Sequence, residues 1–199
     1  SNKNNDYFGQ TDLYHYEFDT GKETKIKSSV YSAPTWNSNG KVIYFSKKSK
    51  YPNKYGSKYY DIYSFDIETE KEERLTIDAR AFNPVFIQKD SSIAYIATYD
   101  GGQDIYKLDL KSKNSEKLTD FKERPMISHL NYEPRTKQLI FDITKHHYRD
   151  IYSYDLVNET IDLIENNSSF DERNMSENLS GLRVYSKDKS GIFNLYMSN

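Results

Sequence analysis

The stretch DIYSFDIETEKEERLT fills residues 61–76. It returns as DIYKLDLKSKNSEKLT at 104–119 and as DIYSYDLVNETIDLIE at 150–165. Weaker relatives stand at both ends, DLYHYEFDTGKETKI from Asp12 and NLYMSN from Asn194. The anchors Asp12, Asp61, Asp104, Asp150 and Asn194 recur every 43–49 residues, a period at which sequences signal propellers and solenoids. Each unit keeps a tyrosine two places after its anchor: Tyr14, Tyr63, Tyr106, Tyr152 and Tyr196. An aliphatic residue stands fourteen places after it in Ile26, Leu75, Leu118 and Ile164. A register held this long serves architecture before chemistry.

Each unit divides the same way. PTW (34–36), PVF (84–86) and LNY (130–132) open strand A. Turn-forming clusters follow from Asn37, Gln88, Glu133 and Asn178. An apolar strand B comes next, as VIYF from Val42, IAYIA from Ile93, LIF from Leu139 and RVY from Arg183. The Asp-Ile-Tyr segment is strand C, and the segment ending in Arg-Leu-Thr or its relatives is strand D. Nineteen tyrosines favour strands, and no stretch supplies an amphipathic helix. The class is all-β. Successive side chains of a strand point to opposite faces, so unbroken apolar runs such as IAYIA need cover on both. Stacked blades supply that cover, whereas a sandwich covers one face of each sheet. The expected fold is a β-propeller of four-stranded antiparallel blades.

The residues Pro34, Trp36, Asn39-Gly40, Asp61-Ile62-Tyr63 and Arg74-Leu75-Thr76 resemble the TolB-type propeller repeat, which runs Pro-x-Trp-Ser-Pro-Asp-Gly, apolar strand, Asp-Ile-Tyr, Arg-Leu-Thr. The same repeat occurs in the propeller domains of prolyl-oligopeptidase-like serine peptidases. The resemblance spans nearly the whole chain and is strongest around Trp36. Gln88-Lys89-Asp90-Ser91 and Glu133-Pro134-Arg135-Thr136 depart from the family's turn. It implies a non-catalytic scaffold for protein–protein interaction in the periplasm or cell envelope, docking an envelope lipoprotein or another envelope component, with a cytoplasmic setting left open. Two other readings stay open: the propeller domain of a larger serine peptidase, and a propeller that binds a glycan or polymer.

Residues 1–199 read as one propeller region with about four blades. The repeat phase is strands C and D, three complete blades, then strands A, B and C. That phase leads us to expect a piece of a longer chain with roughly six to eight blades, or alternatively a small ring with a displaced terminal strand.

A net charge of −2 argues against nucleic-acid binding. Without cysteine there is neither a disulfide framework nor a Cys-based zinc site. No apolar run approaches a membrane span. No catalytic residue, cofactor or metal site is expected. His15, His129, His146 and His147 lack an evident nucleophile or carboxylate partner by sequence, and there is no Gly-x-Ser-x-Gly elbow. Asp61, Asp104 and Asp150 are expected to hydrogen-bond nearby turn backbone. The repeated tyrosines are expected to fill space between blades.

In an up-and-down blade the B–C and D–A loops emerge on one face. The B–C loops are read as 46–60, the TYDGGQ segment (98–103) and 144–149. The D–A loops carry Asp78–Arg80, 120–124 and 171–173. Tyr and Arg are enriched where proteins recognise one another. The candidate partner-binding face is therefore Lys47, Lys48, Tyr51, Tyr55, Arg80, Arg124, His146, His147, Arg149 and Arg173.

Overall fold

A computed structural model describes residues 11–87, 91–145, 147–165 and 169–198. Every regular element among them is a β-strand. The chain divides into two compact units, Ser1–Pro84 and Val85–Asn199.

The first unit contains β1 (Thr11–Glu17), β2 (Lys22–Val30), β3 (Thr35–Trp36), β4 (Val42–Lys48), β5 (Tyr60–Asp66) and β6 (Glu72–Arg74). The division falls inside β7 (Ala81–Ile87). One sheet runs β1-β2-β4-β5-β6, with β3 also beside β4. The β1–β2 hairpin packs on the face of β4 and β5, as an opening pair of C and D strands would. Leu13 and Ile26 lie against the cluster of Ile43, Phe45, Tyr63 and Phe65, Lys27 lies over the Phe65 ring, and only the tail of the hairpin enters the next ladder. β2 has no D–A loop after it; it runs past Ser29 (φ 62°), and its last residue pairs Val30 with Lys47. Thr35 and Trp36 then pair with Tyr44 and Ile43. Strand A of this blade is thus split across β2 and β3; between them Tyr31 N still donates to Ser46 O of β4 (2.9 Å), and Pro34 has no N–H to donate.

The second unit holds three sheets. β8 (Ser92–Tyr99), β9 (Gly102–Asp109) and β10 (Ser115–Lys117) lie in the order β10-β9-β8-β7. β11 (Met126–Glu133), β12 (Gln138–Lys145), β13 (Tyr148–Asp155) and β14 (Ile161–Glu165) lie in chain order. β15 (Glu172–Glu177), β16 (Arg183–Lys187) and β17 (Asn194–Ser198) do the same. The fold is an all-β propeller of antiparallel blades. Its A strands carry a repeated irregularity: the register shifts around His129 in β11 and between Arg173 and Ser176 in β15. His129 (φ 21°), Asn174 (φ 59°) and Asn83 (φ 49°) share this unusual backbone, the mark of a bulge that bends the strand.

Three devices repeat because the sequence repeats. The first is an aromatic pair across strands B and C. Phe45 faces Tyr63, Tyr95 faces Tyr106, Phe141 faces Tyr152 and Tyr185 faces Tyr196. Their rings stack with centroids 6.1, 5.8, 6.2 and 6.1 Å apart. The B-strand partner is fully buried in Phe45 and Phe141, while the tyrosines grade from buried Tyr63 to exposed Tyr14. β4, β8 and β12 are buried at successive positions, so both faces are covered. β16 buries only Tyr185, and Leu195 and Met197 of β17 stand exposed.

The second device is a clasp closing strand C onto strand D. Asp61 is fully buried. It accepts hydrogen bonds from Arg74 Nη2 (2.6 Å), Thr76 Oγ1 (2.9 Å), Ala79 N (3.0 Å), Asp78 N (3.2 Å) and Arg74 Nε (3.2 Å). Thr76 Oγ1 in turn accepts from Ile62 N at 3.0 Å. The next blade repeats this: Asp104 accepts from Thr119 Oγ1 (3.0 Å) and Phe121 N (3.0 Å) and pairs with Lys117 (3.0 Å). At the first repeat Asp12 pairs with Lys25 at 2.6 Å. A cation thirteen places after each of these anchors is part of the motif; Leu163 stands there in the Asp150 unit.

The third device is the C–D turn. Asp66 accepts from Thr69 N (2.8 Å) and Glu68 N (3.0 Å). Asp109 accepts from Ser112 N (2.6 Å) and Lys111 N (3.1 Å), and Asp155 from Val157 N (2.7 Å) and Asn158 N (3.0 Å). These backbone donors hold all three carboxyls below the ordinary range. Each turn ends in a left-handed residue: Gly21 (φ 68°), Glu70 (φ 56°), Lys113 (φ 61°) and Glu159 (φ 56°). Only the first is a glycine, which takes that backbone without a Cβ clash.

Candidate partner-binding rim

The clasp sets the D–A segment beside the B–C loop. Arg74, Asp78 and Ala79 are drawn to Asp61 at the start of strand C. Arg80 follows directly, in left-handed backbone (φ 50°). Its guanidinium lies 4.3 Å from the centre of the Tyr59 ring, and Nη2 donates to Tyr59 Oη at 2.9 Å. That hydrogen bond holds the phenol below its ordinary pKa.

The first B–C loop is shorter than the sequence suggested. Ser46, Lys47 and Lys48 belong to β4 and Tyr60 to β5, because the ladder continues to the Lys48–Tyr60 pair. The loop proper is 49–59. Lys47, expected on the loop, is a strand residue whose ammonium bonds Glu72 (2.7 Å) and lies over Tyr63 at 4.6 Å. Lys48 is exposed at the end of β4.

Loop 49–59 is tied by its own backbone. Ser49 N donates to Tyr59 O (2.8 Å), and Asn53 N donates to Ser57 O (2.7 Å). Asn53 Oδ1 accepts from Tyr55 N (2.9 Å) and Ser57 N (3.0 Å), a bridge typical of Asx turns. On this frame Tyr51 and Tyr55 are 68% and 77% exposed. Lys50 lies 5.4 Å from the centre of Tyr51, and Lys54 lies 4.9 Å from that of Tyr55.

In the second unit the β8–β9 loop is tight. Asp100 (φ 48°) and Gly101 (φ 77°) alone join β8 to β9, the Asp-Gly pairing that two-residue hairpins favour. Arg124, exposed with φ 51°, packs over this turn: a Cβ at Gly102 would come within 3.3 Å of Arg124 Cγ. Gly102 thus leaves room for the arginine. His147 (φ 140°) is exposed between β12 and β13, and His146 lies outside the described residues.

Arg149 and Arg173 lie within electrostatic reach of a buried carboxyl. Asp142 in β12 has no solvent exposure. Its oxygens accept from Asn174 N at 3.1 and 3.2 Å. Burial pushes its pKa up to about 7, against the pull of that N–H and of Arg149 and Arg173. Arg149 N donates to Asp171 Oδ1 (3.1 Å), and Arg173 lies 3.5 Å from the centre of the Phe193 ring. Both arginines are half-buried. At the A–B turn end of β15, Glu177 is bound by Arg183 (2.7 Å) and Arg135. Burial raises its pKa, but the two arginines outweigh this and leave it lowered. The candidate cations therefore differ: Lys48 and Arg124 are exposed, while Lys47 is half-buried against Glu72, Arg173 against the Phe193 ring and Arg149 beside Thr144 Oγ1.

Two of the described histidines, His15 and His129, pack locally. His15 meets Trp36 edge-on at 5.7 Å, and His129 Nε2 lies 3.3 Å from Met175 O. Burial lowers the His129 pKa. Among the described residues no group of three or more His, Asp or Glu could hold a metal ion, and no helix is long and apolar enough to cross a membrane.

No family model matches the chain, and no curated protein matches it. Solved structures do. TolB from Acinetobacter baumannii superposes with a TM-score of 0.74 at 20% identity, covering 94% of this chain and 46% of that one. Oligogalacturonate lyase from Vibrio parahaemolyticus gives 0.70 at 16% identity, covering 94% and 57%. The propeller domain of the Trilobed protease from Pyrococcus furiosus gives 0.66 at 14% identity, covering 94% and 56%. The chain spans about half the length of these structures, and its fold is similar to that of TolB and of peptidase β-propeller domains.

Proposed function

We propose that this chain is a non-catalytic interaction propeller, a scaffold that binds a protein partner through the rim bearing its B–C and D–A loops, in a bacterial periplasm or envelope. The partner is an envelope lipoprotein or another envelope component. One observation carries the reading: loop 49–59 is fixed by internal hydrogen bonds yet presents Tyr51 and Tyr55 to solvent. A rigid frame that exposes aromatic groups lowers the entropy lost on binding and supplies the residues common at interface hot spots. The fold likeness to TolB supports the setting.

The test places a photo-crosslinking amino acid at Tyr55 or Arg124, and, as controls, at Thr69 or Ser112 in the C–D turns. Discrete protein adducts from the first pair in cells of the source organism support the reading. Equal labelling from both pairs, or adducts from the turns alone, contradicts it.

A further inference from the structure

Residues 46–60 read SKKSKYPNKYGSKYY: five lysines, four tyrosines and no carboxylate, in a chain whose net charge is −2. Lys47 is engaged by Glu72. Lys48, Lys50, Lys54 and Lys58 form no ion pair among the described residues. Arg80 joins them through Tyr59. The positive charge is therefore concentrated at one hairpin end, while several acids of this unit are bound elsewhere: Asp61 by Arg74, Glu72 by Lys27 and Lys47, Asp12 by Lys25 and Glu68 by Lys41.

We propose that this loop docks an acidic polypeptide segment, its carboxylates on the ammonium groups and its apolar side chains on Tyr51 and Tyr55. The proposal rests on the interaction reading above and names the chemistry of the partner. Charge complementarity favours an anion, because like charges gathered on one short loop repel one another until an anion neutralises them. Two features favour a peptide over an acidic saccharide. The loop is the tip of the β4–β5 hairpin, closed at its base by the Ser49–Tyr59 bond, and small-ligand sites are concave. One face of each exposed ring is also already taken by its neighbouring lysine, which restricts stacking of a sugar while leaving the ammonium placed for a carboxylate.

The probe is a fluorescein-labelled decaglutamate peptide, with decaglutamine and oligogalacturonate as comparators, followed by anisotropy at 50 mM salt. The full chain binds decaglutamate and not decaglutamine, and affinity falls steeply as salt rises. The triple variant Lys50→Gln/Lys54→Gln/Lys58→Gln loses at least tenfold in affinity. The corresponding Lys→Arg triple stays within threefold, and both retain the parent circular dichroism spectrum. Binding unchanged by the Gln triple overturns the proposal, as does lysine-dependent binding of oligogalacturonate tighter than that of decaglutamate. Protein adducts at Tyr55 with lysine-independent peptide binding refute the acidic partner alone; lysine-dependent peptide binding without adducts refutes the cellular interaction alone.

Discussion

Replacing Asp61 with alanine tests how much of the blade depends on its clasp. The carboxylate is fully buried and receives five hydrogen bonds. Its loss strands the Thr76 hydroxyl and the Ala79 N–H, which sit in buried surroundings. At about 1 kcal/mol net per neutral hydrogen bond these cost about 2 kcal/mol. Breaking a buried ion pair costs about 3–5 kcal/mol, but the Arg74 side chain is 28% exposed, so water recovers about half of that. The sum is about 4 kcal/mol, which for a chain of this size lowers Tm by about 8–15 °C. Asp61→Asn keeps an acceptor for Thr76 and Ala79 and costs about 2 kcal/mol. Trp36, the single tryptophan, lies in the same compact unit, so urea unfolding followed by its fluorescence reads the loss directly. Asp104→Ala, with fewer partners and a more exposed cation, costs about 2 kcal/mol; Asp12→Ala has no measurable effect because its lysine is solvated. A loss below about 1 kcal/mol for Asp61→Ala, or a larger loss for Asp104→Ala, refutes the reasoning.

Asp142 titrates near pH 7 when folded, against 3.8 for the ordinary carboxyl. The folded state therefore holds a proton that the unfolded state has lost, and this carboxyl's contribution to stability falls as pH rises from about 4 to 7, then levels off. Asp142→Asn removes that slope and gains about 2–4 kcal/mol relative to the parent at pH 8, read as the difference between the two proteins' urea midpoints across pH. Glu159→Gly relieves a left-handed turn position that Gly21 fills without strain, and raises stability by about 0.5–1 kcal/mol in thermal unfolding. Phe141→Ala opens a cavity behind Tyr152 and costs about 3–5 kcal/mol, whereas Leu195→Ala on the exposed face of β17 changes urea stability by less than about 0.5 kcal/mol.

The strand plan was legible because each device is short in sequence. The aliphatic runs at Ile93 and Leu139 already required two covered faces, and β8 and β12 supply them. The anchor aspartates were readable as turn-bonding groups, and Asp61 and Asp104 bond D–A backbone. Their cation partner was missed, although Lys25, Arg74 and Lys117 stand in one register. The second aspartate of each repeat, which caps the C–D turn, was legible by the same spacing and was also missed. Other features were hidden because they depend on pairing. Lys47 looks like a loop cation until the ladder carries β4 through it. The joining of β2 to β4 depends on Val30 meeting Lys47. Asp142 sits in an unremarkable LIFDI run, and its neighbours Asn174 and Arg173 come from a different blade.

The division of labour between blades and rim can be tested in a single protein. Residues 50–58 are replaced by Asn-Gly, the two-residue turn suited to a hairpin, leaving Ser49 and Tyr59 as its flanks. Tm and affinity for the protein captured at Tyr55 are then measured together. The account predicts a Tm within about 2 °C of the parent and loss of partner binding; a full-affinity complex from the shortened loop contradicts it.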